Sequence, residues 1–203
     1  MSVPVTRAGL LSQLGTLAPA RRHIVAIAGA PASGKSTLAE GLAESLPGAA
    51  VLPMDGFHYD DAVLDGWGLR KRKGSPPTFD ADGLAHMLLR LAADDGRAVA
   101  VPVFDRGLEI SRAGARIIGP EVRLILCEGN YLLLDDPAWT PLAVYFDLTV
   151  MVEVPLPVIE ARLLKRWQGM ADGPAKVAEN DLPNARIVAE RSRPADLVLN
   201  GAG

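Results

Sequence analysis

The chain has 203 residues, of which 49% are hydrophobic, so it is long enough for one α/β domain with a single core. Its formal net charge of −3 at pH 7 gives no reason to expect a nucleic-acid partner, because a polyanion partner favours a basic balance. The single cysteine, Cys127, excludes an internal disulfide framework and suits the reducing cytoplasm, and its apolar neighbours favour a buried core residue over a catalytic thiol.

The N-terminal residues 1–20 are predicted to form a helical extension of the domain. Leucines at helical spacing indicate an amphipathic helix over residues 5–17 that packs on the domain. A helix that lies on a membrane surface is the alternative, which is not favoured because Arg7 is the only basic residue in that stretch. No run in the chain approaches the ~18 apolar residues of a membrane span, so no membrane partner is expected.

The most specific motif is a phosphate-binding loop at residues 29–36. It reads Gly29, Ala30, Pro31, Ala32, Ser33, Gly34, Lys35 and Ser36, which fits the pattern G-x-x-x-x-G-K-[ST]. A predicted strand over 24–28 precedes it and a predicted helix over 35–46 follows, as this motif requires. The loop amides and the helix N-terminus favour an anion, the Lys35 ammonium is expected to reach terminal phosphates, and the Ser36 hydroxyl is expected to bind Mg²⁺. A glycine-rich turn with an exposed lysine is the alternative.

The rest of the chain alternates between short apolar runs and helical patterns, which is typical of a mostly parallel sheet with helices on both faces. The predicted strands cover residues 24–28, 49–53, 99–103, 122–127, 148–154 and 196–199. The predicted helices cover residues 35–46, 81–94, 155–168 and 183–192. Two long segments fit neither pattern: residues 56–80, which we expect to form a loop on the substrate side, and residues 169–182, within a lid region that we place at residues 162–182.

Two carboxylates follow predicted strands at the edge of the sheet where the phosphate-binding loop is expected. Asp55 comes after the strand over 49–53, and Glu128 directly follows the strand over 122–127. Ligands of open α/β sheets bind at the carboxyl ends of the strands. Asp55 therefore suits a group that orients or deprotonates an attacking hydroxyl, and Glu128 suits a group that holds Mg²⁺ directly or through water. The alternatives are a turn or cap residue for Asp55 and a structural partner of a loop for Glu128.

Basic residues near these motifs have two interpretations each. Arg162, Lys165 and Arg166 share one face of the predicted helix over 155–168. They form either a solvated face or a group in which one or two arginines close over phosphates and offset charge during transfer. The run Arg70–Lys73 is either a solvated loop or a clamp for an anionic substrate.

Other polar side chains could contribute to a small-molecule pocket. His58 and Tyr59 follow Asp55 closely and carry groups that can hydrogen-bond a polyol or an amide, although each alone is more often a packed core residue. No group of His and Cys residues has the spacing of zinc ligands. The residues therefore indicate a nucleotide and Mg²⁺ site with an acceptor pocket beside it.

Together these motifs resemble the family of P-loop kinases that comprises uridine kinases, phosphoribulokinases and bacterial pantothenate kinases. The resemblance covers most of residues 22–200 and is carried by residues 29–37, 55–58, 73–80, 101–106, 128–134, 162–167 and 180–186. The pattern is similar to a bacterial branch described as uridine kinase-like or fructose-transport-system kinases. The P-loop alone is not specific to this family, whereas its combination with the motifs at Asp55 and Glu128, in this order, is.

The resemblance implies one domain over residues 1–203 with the three-layer P-loop NTPase fold, a mostly parallel sheet with helices on both faces and a small helical lid. It implies ATP and Mg²⁺ as cofactors, with Asp55 as the base, Ser36 and Glu128 placing the metal, and Lys35 and Arg166 at the phosphates. The expected nucleotide contacts are Gly29, Ala30, Pro31, Ala32, Ser33, Gly34, Lys35, Ser36, Thr37, Arg162 and Arg166. The expected acceptor contacts are Asp55, His58, Tyr59, Lys73, Phe104, Arg106 and Asn184.

The chain departs from known acceptor patterns at two places. Residues 73–76 stand where uridine kinases carry an aspartate for the ribose and are nearer to the pantothenate kinase pattern, and residues 104–106 replace a Tyr and a His. The sequence therefore predicts a cytoplasmic ATP-dependent small-molecule kinase, a monomer or homodimer, whose acceptor is a sugar, a nucleoside or a pantothenate-like molecule. The alternative is a nucleotide-dependent switch or regulatory NTPase, which the sequence favours less because it contains no Asn-Lys-x-Asp guanine reader.

Overall fold

The computed structural model describes residues 2–17 and 20–201, and its strands fall into two sheets. The strands are β1 (Val3–Val5), β2 (His23–Gly29), β3 (Ala49–Pro53), β4 (Val99–Asp105), β5 (Ile110–Ile118), β6 (Leu124–Gly129), β7 (Leu148–Glu153) and β8 (Leu197–Asn200). Six of them form one sheet in the order β1-β8-β7-β2-β6-β3, and every pairing in it is parallel. The α/β architecture predicted from the sequence is confirmed.

The α-helices match the predicted ones closely. They are α1 (Arg7–Gly15), α2 (Lys35–Ser45), α3 (Asp61–Gly66), α4 (Ala81–Ala92), α5 (Leu156–Arg166), α6 (Gly173–Lys176) and α7 (Leu182–Arg191). The four predicted helices correspond to α2, α4, α5 and α7, and each boundary agrees within two residues. A 3-10 turn, Met54–Phe57, follows β3, and a π-helical turn, Val177–Asp181, joins α6 to α7.

The predicted N-terminal helix packs on the domain. α1 lies within residues 5–17, is capped by the side chain of Thr6, and buries Leu10 and Leu14 in the core. Residues 1, 18 and 19 of the predicted extension lie outside the described residues. Along the described part of the chain, no helix combines the length and the apolar character that crossing a membrane requires.

The central strand β2 is buried on both faces. Ile24, Ala26 and Ala28 contribute to the core cluster that contains residues of α4, whereas Val25 and Ile27 contribute to the cluster formed with α1 and α2. A parallel strand covered by helices on both sides has a continuous run of apolar residues. This run is the reason why the sequence located β2 correctly.

The prediction that residues 99–103 belong to the parallel sheet is wrong. They form β4, which pairs antiparallel with β5 in a separate hairpin. β5 escapes sequence-based prediction because it is mostly exposed and contains arginines and a glycine in place of a clean apolar alternation. The hairpin lies close to the turn after β3, since a Cβ at Gly56 would be 2.5 Å from the carbonyl oxygen of Pro102. It therefore stands beside Asp55.

The two segments without a clear sequence pattern are folded into short helices and turns. Residues 56–80 contain α3 and two 3-10 turns, and the segment is fastened to the sheet by Tyr131, whose hydroxyl donates a hydrogen bond of 2.6 Å to the carbonyl oxygen of Gly74. Residues 169–182 contain α6 and the π-helical turn. Both segments therefore present defined side chains to the neighbouring site.

Arg22 is a buried cation that joins the end of α4 to the loop between β5 and β6, and we expect its removal to destabilise the fold. Its guanidinium donates hydrogen bonds to the carbonyl oxygens of Leu91 (3.2 Å), Gly119 (3.0 Å) and Val122 (3.0 Å), and it lies 3.5 Å from Asp94. The substitution Arg22→Met removes the charged donor that these three carbonyls share, although those of Leu91 and Gly119 keep a backbone N–H donor. We expect the free energy of unfolding, measured by urea denaturation, to fall by about 3 kcal/mol.

The neighbouring arginine provides the matched control. Arg21 is exposed and pairs with Asp147 at the surface, where an ion pair adds little stability. Arg21→Met is therefore expected to change the unfolding free energy much less than Arg22→Met. Equal losses in the two variants would contradict the structural role assigned to the buried guanidinium.

Candidate active site

The predicted phosphate-binding loop joins β2 to α2 at the carboxyl edge of the sheet. Ala32 (φ 61°) and Gly34 (φ 93°) adopt a left-handed backbone, and turns of this kind direct successive N–H groups into a concave nest. Gly29 has no space for a side chain, since a Cβ there would lie 2.6 Å from Ser33 Oγ and 2.9 Å from the carbonyl oxygen of Val152. The N-terminus of α2 adds the positive end of its dipole, so the turn is suited to an anion.

A cavity of about 520 Å³ at this loop collects residues from distant parts of the chain. The predicted site residues that line it are Pro31, Ala32, Lys35, Ser36, Asp55, His58, Lys73, Phe104, Arg106, Arg166 and Asn184. The segment 162–182 also contributes, with Trp167 and Lys176 among the lining residues. The structure therefore places the phosphate end and the predicted acceptor residues in one cavity.

Eight predicted site residues do not line this cavity. They are Gly29, Ala30, Ser33, Gly34, Thr37, Tyr59, Glu128 and Arg162. The first five belong to the loop or the first turn of α2, where their contribution is the backbone shape. Tyr59 makes an edge contact with the ring of Trp67 (4.9 Å between centroids), so its predicted position against an acceptor is not found in this cavity.

Glu128 lies between the two strands that carry the other reactive groups. In the sheet it pairs with Ile27 of β2 and with Pro53 of β3, and only 5% of its surface is exposed. Burial raises the pKa of the Glu128 carboxyl, although the Lys35 ammonium and a hydrogen bond from Ser36 favour the charged form. A cation in addition to Lys35, such as a metal ion, would offset the cost of burying this carboxylate.

The pKa of Lys35 is shifted in the opposite direction to that of Glu128. Burial lowers the pKa of its ammonium, whereas the carboxylates of Glu128 and Asp55 raise it. Arg166 and Arg106 also lower the pKa of Lys35, because they place further positive charge nearby. Phosphate groups bound at the loop would stabilise all three of these cations.

The oxygen atoms beside the loop fit Mg²⁺. The Ser36 hydroxyl and the buried Glu128 carboxylate are hard oxygen donors, and Mg²⁺ is usually bound by one or two protein oxygens together with water and substrate phosphates. Within residues 2–17 and 20–201, no group of three or more His, Cys, Asp or Glu residues could hold a metal alone. The residues present therefore fit a metal shared with a bound nucleotide.

Asp55 occupies the 3-10 turn directly after β3 and faces the cavity. Its Oδ2 accepts a hydrogen bond of 2.5 Å from Nη2 of Arg106, which belongs to the turn of the β4–β5 hairpin. The Asp55 side chain is 25% exposed. It is therefore accessible to a small molecule once the arginine moves aside.

The two predicted phosphate arginines of α5 have different surroundings. Arg166 lines the cavity, and burial together with the charge of Arg106 lowers its pKa. Arg162 instead donates hydrogen bonds to the carbonyl oxygens of Ala32 (3.3 Å), Ser33 (3.4 Å) and Gly201 (2.9 Å). Arg162 therefore contacts the loop backbone, and its predicted phosphate contact stays a prediction.

Three aromatic rings that line the cavity contact one another. His58 stacks on Phe79 with 3.9 Å between ring centroids, and Phe104 lies 4.8 Å from His58. Burial lowers the pKa of His58 to about 4, so its ring is neutral at pH 7. The Lys73 ammonium lies 5.1 Å from the centre of the Phe104 ring.

Sequence reasoning missed two asparagines of the cavity, Asn130 and Asn180, whereas it predicted the neighbouring Asn184. Asn180 donates a hydrogen bond of 2.8 Å to the carbonyl oxygen of Lys73, and Asn184 donates one of 3.4 Å to Asn180 Oδ1. Asn130 also lines the cavity. Its position two residues after Glu128 was a usable signal, whereas nothing in the local pattern around Asn180 indicates that it faces a cavity.

We expect Arg162→Met to weaken nucleotide binding. Without the guanidinium, the carbonyls of Ala32 and Ser33 lose a charged donor, and the loop is held less firmly in its anion-binding shape. The dissociation constant of MgADP, measured by calorimetry, is expected to rise by about tenfold. Arg90→Met, at an exposed position of α4, is the control and is expected to leave it unchanged. An unaltered affinity in Arg162→Met would contradict the supporting role.

Two proteins of known sequence are similar to this chain over most of its length. The uncharacterized protein YggC of Escherichia coli (strain K12) is 36% identical over 201 residues, which cover 94% of this chain and 82% of that protein. The putative uridine kinase C227.14 of Schizosaccharomyces pombe is 32% identical over 196 residues, which cover 88% of this chain and 83% of that protein.

One solved structure is similar in both sequence and fold. The putative fructose transport system kinase from Silicibacter sp. TM1040 is 42% identical, has a TM-score of 0.88, and covers 96% of this chain and 98% of its own. No protein-family model matches the chain.

Proposed function

Since this chain belongs to the family of P-loop kinases that includes uridine kinase-like and pantothenate kinase proteins, we propose that it transfers the γ-phosphate of ATP to a hydroxyl of a sugar, a nucleoside or a pantothenate-like acceptor. The similarity to kinases of this family supports an ATP-dependent small-molecule kinase.

The observation that carries this proposal is one cavity that holds an anion-binding loop at one end and a carboxylate at the other. Lys35 and Ser36 stand at the loop, and Asp55 faces the same space from the turn after β3. A kinase requires this combination, because the acceptor hydroxyl must meet the terminal phosphate beside a group that takes its proton.

In the proposed reaction, the acceptor oxygen forms a bond to the γ-phosphorus while the bond from that phosphorus to the bridging oxygen of ADP breaks. The proton of the hydroxyl passes to an Oδ atom of Asp55. Lys35 and Arg166 offset the negative charge that spreads over the transferred group. Mg²⁺, held by Ser36 and directly or through water by Glu128, would neutralise charge on the phosphate oxygens.

The segment 162–182 is proposed as the lid. Its residues Trp167, Lys176 and Asn180 line the cavity together with the loop, and Trp167 donates a hydrogen bond of 2.7 Å from its ring N–H to Asp181. Closure of such a segment excludes water from the transferred phosphate, which would otherwise be hydrolysed.

The test is a coupled assay of ADP release from MgATP, with and without a panel of hexoses, pentoses, nucleosides and pantothenate. We expect one class of acceptor to increase ADP release well above the rate without acceptor. Tight nucleotide binding with no increase for any acceptor would contradict a small-molecule kinase with an acceptor of these classes and favour a nucleotide-dependent switch.

A further inference from the structure

We propose that Arg106 binds an anionic group of the acceptor, so that the substrate is a hydroxylated molecule bearing a carboxylate or a phosphate. This inference rests on the proposed function, because it concerns the molecule whose hydroxyl faces Asp55. It narrows the acceptor to one chemical class and excludes neutral sugars and unphosphorylated nucleosides as preferred substrates.

Arg106 contacts the proposed base directly. Its Nη2 donates a hydrogen bond of 2.5 Å to Oδ2 of Asp55, so the proposed base is covered by a guanidinium. For Asp55 to meet a hydroxyl, this arginine must move to another partner. An anion on the incoming molecule supplies one, because an arginine fork binds carboxylate and phosphate groups with two parallel hydrogen bonds.

Arg106 is free to make this exchange. Its side chain is 70% exposed, and the hydrogen bond to Asp55 uses one of its five N–H groups. It stands in the turn between β4 and β5, with its guanidinium carbon 5.9 Å from the centre of the Phe104 ring. Rotation of a long exposed side chain therefore suffices to carry the charge from the carboxylate to a ligand beside the ring.

The lining of the cavity carries an excess of positive charge, with seven cations and five carboxylates. Four of these cations come from the segment after α3 and from the hairpin: Arg70, Lys71, Lys73 and Arg106. Asp61, which lies outside the lining, is 2.6 Å from Arg70 and 2.6 Å from Lys73. Within the described residues, the exposed Lys71 has no hydrogen bond or ion pair, so its ammonium is available to an anion in the cavity.

The walls around these cations do not compete for the anion. His58 is neutral at pH 7 because burial lowers its pKa to about 4, and the half-buried ring of Phe104 beside it gives the cavity an uncharged aromatic surface. The ligand that matches is compact, with a hydroxyl toward Asp55 and an anionic end toward Arg106.

A rival role for Arg106 is charge neutralisation on the transferred phosphate. Arg106 lies near enough to Lys35 and Arg166 that its charge lowers the pKa of both. The two roles predict different kinetics. A residue that binds the acceptor changes the acceptor KM, whereas a residue that acts on the transferred phosphate changes kcat with every acceptor.

The test measures binding separately from transfer. The full chain, saturated with Mg²⁺ and a non-hydrolysable ATP analogue, is titrated by calorimetry with three pairs of probes: D-glycerate and glycerol, pantothenate and pantothenol, fructose 1-phosphate and fructose. The first two pairs test a carboxylate and the third tests a phosphate. We expect at least one anionic member to bind at least about 30-fold more tightly than its neutral partner.

The variants are Arg106→Gln and the control Arg112→Gln. Arg112 belongs to the same hairpin and also pairs with an aspartate, Asp105, at 3.0 Å, but it does not line the cavity. Arg106→Gln is expected to weaken binding of the anionic probe by about 30-fold and to raise its KM similarly, with a smaller change in kcat. Arg112→Gln is expected to leave both constants unchanged.

Three results would overturn the inference: binding of neutral probes as tightly as their anionic partners, no binding of any anionic probe, or unchanged anion binding in Arg106→Gln. A fall in the kcat of Arg106→Gln without a change in acceptor KM would also overturn it and would indicate that Arg106 acts on the transferred phosphate. Arginine-dependent binding of an anion that is never phosphorylated would support this inference and refute the proposed kinase reaction for that ligand. Phosphorylation of a neutral acceptor with no anion binding would support the proposed kinase reaction and refute the anion site at Arg106.

Discussion

Asp55→Asn is expected to lower kcat about 10³-fold while the dissociation constant of MgATP stays within about twofold of its original value. The amide keeps the size of the side chain and an oxygen that can still accept the hydrogen bond from Arg106, but it cannot take up the proton of an attacking hydroxyl. The nucleotide end of the cavity, at Lys35 and Ser36, is unaltered. Rate and affinity are therefore expected to separate in this variant.

The measurement combines steady-state ADP release with calorimetric titration of the nucleotide. Asp65→Asn, at an exposed position of α3 outside the cavity lining, controls for the loss of one negative charge from the protein and is expected to change neither quantity. If Asp55→Asn turns over as fast as the unaltered protein, the carboxylate is not the base and the reaction requires another proton acceptor.

Lys35→Met is expected to lower kcat/KM for ATP by about 10³-fold or more. Burial opposes the charge of the Lys35 ammonium, and the carboxylates of Glu128 and Asp55 favour it. Methionine retains the length of the side chain without the charge, so the loop keeps its shape but loses its strongest attraction for the terminal phosphates.

Lys35→Met has a second expected consequence, which concerns Glu128. The Lys35 charge is one of the groups that favour the ionised form of this buried carboxyl. Its removal is expected to raise the pKa of Glu128 further. Because a protonated carboxyl is a poor metal ligand, the Mg²⁺ concentration that half-maximal activity requires is expected to rise.

The control for the lysine substitution is Lys165→Met, an exposed residue of α5 that does not line the cavity. It is expected to leave kcat/KM unchanged. Initial rates over a range of MgATP concentrations distinguish the variants. A Lys35→Met protein that retains the original kcat/KM would contradict the assignment of the loop as the site of the transferred phosphate.

The hairpin shows why part of the acceptor end escaped prediction. The predicted strand over 99–103 exists, but its partner β5 is an exposed ribbon whose arginines and glycine lack a clear period. An antiparallel pair that stands apart from the main sheet is stabilised by cross-strand contacts, which a local pattern does not contain. The contact of Arg106 with Asp55 joins residues 51 positions apart, so it depends on where this hairpin packs.

Arg162 and Arg166 illustrate the same limit within one helix. The spacing of the two arginines places them on one face of α5, as the sequence indicates. Their partners differ because the face spans both the back of the loop and the mouth of the cavity: Arg162 meets loop carbonyls, and Arg166 lines the cavity. Helical periodicity predicts a shared face, but it does not predict what lies opposite each residue.

Local patterns in the sequence are sufficient to predict the strand, loop and helix of residues 23–45, the buried strands of the parallel sheet and the positions of Asp55 and Glu128 at its carboxyl edge. These features are local, because a buried strand needs a continuous apolar run and the anion-binding turn needs glycine at defined positions. The contacts of Arg106 with Asp55 and of Arg162 with the loop carbonyls become visible only in the folded structure. Those contacts join elements far apart in the chain, and their geometry follows from packing.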